Sequence, residues 1–306
     1  MQEQKNALLC DPEIGLCINP MDTLKNETST TVESIAKPIK IIYYTDPICS
    51  SCWGIEAQLR KLKLEYGKHF EIEYKMGGLL PDWSYNSGGI SKPSDVAHHW
   101  DEVSVYYDMP IDGDIWLEDP LPSSYPPSIA FKAAQLQDEK KAILFLREIR
   151  EMVFLKKKNI AKWEHLEEAA KLVELNVVQL KIDYEGRAKE IFNADLQRGK
   201  ELGVRGFPCL FFMNQTGERE IVYGTKPYEA YENAIKKLLP SVIKEQYSKD
   251  WNAVFSTYNS STAKEFSVLT ETNRNEAEKV LNELTSQNKL NKFNTKNGAI
   301  WTLSKQ

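Results

Sequence analysis

The chain has 306 residues, of which 42% are hydrophobic and 27% are charged, and its formal net charge is −5. This length exceeds that of most single domains, so we expect one large domain with an insertion, or two to three units. No stretch approaches the run of about 20 apolar residues that crosses a membrane. The acidic balance also gives no electrostatic reason for binding phosphate backbones. We therefore expect neither a membrane nor nucleic acid as a partner.

The N-terminus lacks a basic start followed by an apolar segment of signal-peptide length, which predicts a cytoplasmic protein. Only five cysteines occur, far fewer than in a disulfide-stapled secreted scaffold. We interpret residues 1–37 as a flexible segment that carries Cys10 and Cys17, with a mobile polar tether at 18–38. These two cysteines are close enough in sequence to be oxidised together, and an accessory redox or peroxide-sensing role is one hypothesis for them.

Ordered structure is predicted from Ile39 onward. Residues 39–45 are β-branched and aromatic, as in a buried strand, and DPICSSCWG then leads into an amphipathic helix that ends at Gly67. Residues 69–78 alternate as a second strand, so we expect a parallel strand–helix–strand unit. Cys49 and Cys52 therefore lie at a strand-to-helix junction.

The middle of the chain changes in character. Residues 81–127 are rich in Pro, Gly, Asp and Trp, which predicts loops and short turns packed by aromatic side chains. From 128 to about 202, apolar residues recur at three- and four-residue spacing and predict several helices. We expect a helical insertion at about 81–202.

Residues 203–240 predict a strand, a turn at 214–217, a second strand and a helix, which closes a domain at 38–240. The remaining residues, 241–306, predict a helix near 245–255, a polar break, a helix at 274–287 and a hairpin. That order is typical of a small winged-helix-like unit.

The C-x-x-C motif at a helix N-terminus indicates thiol–disulfide exchange. Unpaired backbone N–H groups and the helix dipole would stabilise a thiolate on Cys49, which we predict to be the acidic, exposed nucleophile. Cys52, one turn further on, would then resolve a mixed disulfide. The alternative is half of a zinc site, for which we find no second C-x-x-C and no H-x-x-x-H pair.

A second element, GVRGFPCLFF, brings a proline to the start of an apolar strand. We predict a cis bond between Phe207 and Pro208, which would leave the backbone of Phe207 free to pair with an extended substrate. A trans proline at a strand start is the alternative. Cys209 is interpreted mainly as a small core residue, with a third redox role as the other hypothesis.

Two residues flank the C-x-x-C motif. Asp46 could accept a proton from the resolving thiol if burial raised its pKa, or could simply be a turn residue before Pro47. Trp53 is interpreted as a wall of the site that contacts substrate.

The segments YYTDPICSSCWG, MGGLLPDW, DIWLEDPLPSSYPPSIAFKAAQLQ and GVRGFPCLFF occur in an order that resembles the DsbA-like branch of the thioredoxin superfamily, specifically its FrnE-type cytoplasmic dithiol–disulfide isomerases. The resemblance implies an α/β thioredoxin fold with an inserted helical domain, with Cys49 and Cys52 as the redox pair and Pro208 as the cis-proline. The Ser50-Ser51 dipeptide departs from the family, and such residues tune the reduction potential. The direction of electron flow therefore stays open.

The tail adds a second resemblance. A DsbA-like domain followed by a helix-and-hairpin unit is similar to the YjbH or SpxH adaptor proteins, which present a transcription factor to the ClpXP protease. Members of that group can lose a cysteine of the motif, which implies that binding matters there more than turnover. This chain keeps both cysteines, so the sequence favours a protein thiol–disulfide oxidoreductase, with a protease adaptor or redox-sensing interaction module as the alternative. We expect no bound cofactor or metal, protein thiols or disulfides as substrates, and a thiol reductant that resets the pair.

Overall fold

The computed structural model describes residues 37–84 and 91–304 in full, together with the backbone of residues 10–11 and 16–18. Most of the predicted tether, residues 19–36, lies outside the described part of the chain. Within the described residues, no helix is both long and apolar enough to span a membrane.

The central sheet carries the predicted strand–helix–strand unit and the predicted hairpin. Its strands follow the order β4-β3-β6-β7, and only β3 and β4 run parallel. Both faces are covered by helices, which explains why β3 is buried along nearly its whole length. The strands are β3 (Ile39–Thr45), β4 (Phe70–Met76), β6 (Cys209–Asn214) and β7 (Arg219–Tyr223), and the helices of this part are α1 (Ser50–Gly54), α2 (Glu56–Tyr66) and α10 (Tyr228–Leu238).

A second sheet joins the N-terminal residues to the chain just before Pro208. It has the order β1-β2-β5, where β1 is Cys10–Asp11, β2 is Leu16–Ile18 and β5 is Gly206–Phe207. Both pairings are antiparallel. The sequence placed Cys10 and Cys17 in a loop; the structure instead pairs their backbones, because β5 provides an edge on which a short strand can dock.

The segment between β4 and β5 is helical, and its first helix begins earlier in the chain than the sequence predicted. Residues 93–107, expected to be loop, form the helix α3. Pro93 occupies its first turn and the Asp95 carboxylate accepts from the Lys92 backbone N–H, which together start the helix. Helix α3 then buries an apolar face that includes Trp100 and Tyr107. The helices of this segment are α3 (Pro93–Tyr107), α4 (Ile115–Glu118), α5 (Tyr125–Gln137), α6 (Glu139–Leu155), α7 (Trp163–Leu172), α8 (Val177–Glu185) and α9 (Arg187–Glu201).

The C-terminal residues form a small unit with an apolar core of its own, which contains Phe266, Leu281 and Trp301. Its strands follow the order β8-β10-β9. The chain order of helix, strand, two helices and hairpin is that of a winged helix, as predicted. The sequence missed β8 and α12, which fall in the stretch interpreted as a polar break. The elements are α11 (Trp251–Thr257), β8 (Ser260–Thr262), α12 (Ala263–Thr270), α13 (Arg274–Ser286), β9 (Leu290–Thr295) and β10 (Gly298–Leu303).

A buried ion cluster fixes this C-terminal unit to the rest of the protein. Arg147 on α6 makes a two-pronged contact with Glu265, its Nη1 and Nη2 donating over 2.7 and 3.0 Å. Arg60 on α2 lies 3.4 Å from the same carboxylate and donates to the Ser260 carbonyl over 2.7 Å. Glu265 is fully buried, so its charge is compensated only by these partners and by backbone donors.

We predict that Glu265→Gln destabilises the protein by about 3–5 kcal/mol, because it removes the carboxylate next to Arg60 and leaves Arg147 with Glu151 alone, so that one buried positive charge is uncompensated. The matched control is Glu276→Gln on the exposed side of α13, which should change stability by no more than about 0.5 kcal/mol. Denaturant unfolding of the full chain measures both. Equal stability of the two variants would show that Glu265 does not support the interface.

Candidate redox site

Cys49 and Cys52 occupy the helix start that the sequence predicted. Cys49 is the N-cap of α1, and its Sγ accepts a hydrogen bond from the Cys52 backbone N–H over 3.2 Å. This is the position at which a helix N-terminus stabilises negative charge on sulfur. Both cysteines are free thiols and both are fully buried. The burial of Cys49 differs from the exposed nucleophile that the sequence predicted.

The two thiols titrate as a pair, and the proton distribution also differs from the prediction. Burial and the hydrogen bond with Cys52 raise the pKa of Cys49. Burial acts against ionisation of Cys52 as well, but the hydrogen bond from Cys49 and the positive charge of Arg150 outweigh it, so the pKa of Cys52 is lowered. Of the two coupled thiols, the inner one, Cys52, is therefore the one that ionises more readily.

Arg150 is the cation beneath the motif. It is almost completely buried, and its Nη2 donates to Thr45 Oγ1 over 2.6 Å and to the Asp46 carbonyl over 3.3 Å. Its Nη1 donates to the Glu56 carboxylate over 2.6 Å. Thr45 in turn donates to the Tyr43 hydroxyl, and hydrogen bonding from both hydroxyls further lowers the pKa of Cys52. Strand β3 thus supplies the polar groups that stabilise the thiolate.

Asp46 makes the turn contact that was one of the two roles considered for it, and its carboxyl is fully buried. Its Oδ1 accepts from the Ile48 N–H, which is the turn contact, and its Oδ2 accepts from the Leu79 N–H over 2.8 Å and from Ser124 Oγ over 2.9 Å. Burial raises the pKa of this carboxyl to about 6. Asp46 therefore meets the condition on its pKa, and proton transfer to or from the cysteines stays a prediction.

The proline loop lies at the same end of the sheet as the cysteines. The Phe207–Pro208 peptide bond is cis, as predicted. Tyr44, near the end of β3, pairs with Cys209, so Pro208 lies beside the chain that leads to Cys49. The Phe207 ring packs against Gly77, where a Cβ would come within 1.9 Å of the ring. Gly77 of the MGG segment is thus needed to seat this loop.

Trp53 and Cys209 are both interior residues. The Trp53 ring stacks on Phe154, donates from Nε1 to the Pro110 carbonyl over 3.1 Å, and has the Arg147 guanidinium 4.3 Å from its ring centre. It is fully buried and holds α1 in place, while the predicted substrate contact stays a prediction. Cys209 is buried next to β3, and burial raises its pKa to about 12, in keeping with a core position.

Two functional residues were not predicted from the sequence: Arg150 and Arg147, which together connect the redox motif to the C-terminal unit. A signal for them exists in the sequence. The α6 segment ILFLREIREMVFL places two arginines three residues apart among apolar residues that surround the helix, so at least one guanidinium had to be buried and paired. Which groups pair with them depends on the tertiary fold.

No group of three His, Cys, Asp or Glu side chains in the described part of the chain is arranged to bind a metal ion. The geometry around Cys49 and Cys52 is that of a dithiol, in which one sulfur accepts a backbone hydrogen bond and the other faces a buried cation. Such an arrangement can form and break disulfides.

Comparison with known proteins gives two kinds of match. The thioredoxin family model matches residues 43–233. The chain is 33% identical over 307 aligned residues to the ClpXP adapter protein SpxH of Halalkalibacterium halodurans, covering 98% of this chain and 99% of that protein. It is 29% identical to SpxH of Bacillus subtilis, covering 87% of this chain and 89% of that protein.

Solved structures with the same fold cover less of the chain. A putative protein disulfide isomerase from Nitrosomonas europaea matches with a TM-score of 0.56 and 22% identity, over 67% of this chain and 97% of its own. The cytosolic disulfide reductase DsbM from Pseudomonas aeruginosa matches with a TM-score of 0.52 and 19% identity, over 66% of this chain and 100% of its own. These likenesses establish the DsbA-like fold, and about a third of this chain lies outside them.

We predict that the stability of the wild type falls relative to Asp46→Asn as the pH rises from 4 to 7. The folded carboxyl has a pKa of about 6 against an ordinary 3.8, so the folded state binds the proton more tightly and loses this advantage on ionisation. The free energy of unfolding of the wild type, relative to that of Asp46→Asn, should fall by up to about 3 kcal/mol.

Denaturant unfolding at several pH values measures this trend. Asp138→Asn is the control with the opposite sign, because backbone N–H groups of Lys141 and Lys140 lower the pKa of Asp138. A difference between wild type and Asp46→Asn that does not vary with pH would contradict the burial effect on Asp46.

We further predict that Arg150→Gln raises the pKa at which the first thiol of the Cys49–Cys52 pair ionises, because the buried positive charge is lost. Alkylation of the pair at pH 7 should slow by roughly tenfold. Thiolate absorbance near 240 nm, followed against pH in a chain with the other cysteines replaced by alanine, gives the titration directly. Arg198→Gln, which removes an exposed guanidinium paired with Glu201, should leave the titration unchanged; a shift as large as that in Arg150→Gln would refute the assignment.

Proposed function

This chain belongs to the thioredoxin family and, within it, to the SpxH proteins, and from that premise we propose that it is an adapter for the ClpXP protease. One observation carries the proposal: the match to the SpxH relative spans 98% of the chain. The thioredoxin family model ends at residue 233, so the C-terminal unit is shared with the adapter proteins beyond the extent of that model.

The surface of the C-terminal unit supports protein binding over nucleic-acid binding. Helix α13 buries Ala277, Leu281 and Leu284 and turns its polar residues outward. Its sequence, RNEAEKVLNELTS, holds two basic residues against three acidic ones. A recognition helix for nucleic acid needs an excess of positive charge. We therefore propose protein partners: the protease and a client protein, of which a transcription factor is one hypothesis. This function implies a cytoplasmic location.

Thiol–disulfide exchange with protein substrates is the second candidate function. It is favoured by the Cys49–Cys52 geometry and by Arg150, a buried cation that serves the thiolate. In the proposed reaction, Cys49 passes its proton to Cys52, and the Cys49 thiolate then attacks a substrate disulfide and forms a mixed disulfide; the substrate thiolate that leaves takes the proton from Cys52. Cys52 then attacks Cys49 Sγ, which releases the substrate thiol and leaves a Cys49–Cys52 disulfide for a thiol reductant to reset. Oxidation of a substrate dithiol uses the same steps in reverse. From the sequence alone, thiol–disulfide exchange was the favoured function. The match to an adapter protein over 98% of the chain now favours the adapter function.

The adapter proposal is tested by protein turnover in cells that lack the gene, ClpX, or both. We expect at least one protein to be stabilised by either deletion, with no further stabilisation in the double deletion. Restoring the gene should restore the turnover of that protein, and Cys49→Ser should do so as well if delivery does not need the sulfur chemistry. If no protein shows ClpX-dependent turnover that also needs this chain, the adapter proposal fails.

The exchange proposal is tested with purified protein equilibrated in glutathione buffers. A reversible Cys49–Cys52 disulfide is expected, with a midpoint between roughly −120 and −270 mV. Cys49→Ser should abolish insulin-disulfide reduction, and Cys52→Ser should accumulate mixed disulfides that survive acid quenching. Cys209→Ser is the matched control and should behave as wild type. The exchange reaction is excluded if no Cys49–Cys52 disulfide forms in any buffer.

A further inference from the structure

The N-terminal strand pair, β1 and β2, lies on the backbone beside the redox motif. In the β2–β5 register, Cys17 is opposite Phe207 and Ile18 is opposite Gly206. Phe207 directly precedes Pro208, which lies at the end of β3 that leads to Cys49. Strand β2 also lies against α1, the helix that begins immediately after Cys49. The backbone at residue 17 is thus positioned between the proline loop and the redox helix.

An extended protein substrate would need this same position. Peptides that bind by strand addition pair their main chain with an exposed strand edge, and the edge next to Cys49 is β5. In this structure β2 already pairs with that edge. The complete burial of Cys49 agrees with a site that is covered.

The residue of β2 opposite Phe207 is Cys17, and a second cysteine, on β1, lies opposite Cys17. Cys10 and Cys17 are direct partners in the β1–β2 register. Directly opposed residues of antiparallel strands have Cα atoms about 4.5–5.5 Å apart, within the separation of about 4.4–6.8 Å that a disulfide spans. The backbone therefore allows a disulfide between these two residues.

We propose that Cys17 is an internal exchange partner of Cys49, and that the N-terminal strand pair occupies the place of a protein substrate. This rests on the thiol exchange proposed above and adds to it an intramolecular substrate. Protein substrates must displace β2 from β5 before they reach Cys49.

The exchange balances without a further redox agent. When the N-terminal pair is a disulfide, Cys49 passes its proton to Cys52, and the Cys49 thiolate attacks Cys17 Sγ. The Cys10–Cys17 bond breaks, and its electron pair leaves on Cys10 Sγ, which takes the proton from Cys52. Cys52 then attacks Cys49 Sγ and releases Cys17 as a thiolate. The N-terminal disulfide is reduced to two thiols and the Cys49–Cys52 dithiol is oxidised to a disulfide. A disulfide-bearing protein or a small disulfide, entering at either pair, supplies the initial oxidation.

The test traps the intermediate in the full-length chain. In Cys10→Ser/Cys52→Ser, both thiols that would resolve the Cys17–Cys49 bond are gone. Oxidised glutathione should first form a mixed disulfide on Cys49, which Cys17 then displaces with release of glutathione. After acid quenching, alkylation and proteolysis, mass spectrometry should find the peptides of Cys17 and Cys49 linked. Adding Cys17→Ser should remove the link, and adding Cys209→Ser, the matched control, should preserve it.

A mixture of isotope-labelled and unlabelled chains separates internal from intermolecular bonds. Linked Cys17 and Cys49 peptides that are both labelled or both unlabelled support the proposal. Linked peptides of which only one is labelled, or a Cys49 that stays bound to glutathione, overturn it. Formation of the Cys49–Cys52 disulfide in the wild type shows whether a negative result concerns only the internal partner or the exchange proposal as a whole. If the wild type forms a Cys49–Cys52 disulfide but the trapping variant yields no Cys17–Cys49 link, only the internal partner is wrong. If neither forms, exchange itself is wrong, and the internal partner with it.

A second measurement tests occupancy of the edge without sulfur chemistry at residue 17. Strand β2 has a partner on each side, and proline is not tolerated in such a central strand. Cys17→Pro should therefore raise the alkylation rate of Cys49 about tenfold or more relative to Cys17→Ala, which keeps the strand. Equal rates in the two variants would show that β2 does not cover Cys49.

Discussion

A buried guanidinium group must have its charge and its N–H donors paired, and helix α6 buries two of them three residues apart. Arg150 faces the redox motif, where it binds Thr45, Glu56 and the Asp46 carbonyl. Arg147 faces the C-terminal unit, where it binds Glu265, and it also lies over the Trp53 ring. Removing the partners of either arginine would leave an unpaired charge in the interior, at a cost of several kcal/mol. The position of the C-terminal unit and the electrostatics of the cysteines are thus set by adjacent turns of one helix.

This arrangement relates the two proposed activities. The thiolate is stabilised by a helix that also anchors the C-terminal unit, so the redox motif and the adapter-like part of the chain share one rigid support. The dithiol is buried, and β2 pairs with the strand edge beside it.

The sequence predicted the parts whose signals are local. Strand β3, the C-x-x-C helix start, β4, the β6–β7 hairpin and the proline before Cys209 each carry their own pattern within about ten residues. Helix α3 was missed because Pro, Gly and Asp surround it, although Pro93 and Asp95 are helix-starting residues. The lowered pKa of Cys52 could not be predicted, since it depends on the hydrogen bond from Cys49 and on the charge of Arg150, almost one hundred residues further along the chain. The docking of Cys17 opposite Phe207 likewise joins residues that are distant in sequence and share no pattern.

We propose that this chain delivers a protein to ClpXP. The most direct test is reconstitution: the degradation rate of a ClpX-dependent client by purified ClpXP, with and without the full-length chain. We expect the chain to accelerate degradation in proportion to its concentration until the client is saturated, and not to be consumed faster than the client. An unchanged degradation rate at saturating chain, with the client shown to bind ClpXP, would contradict it.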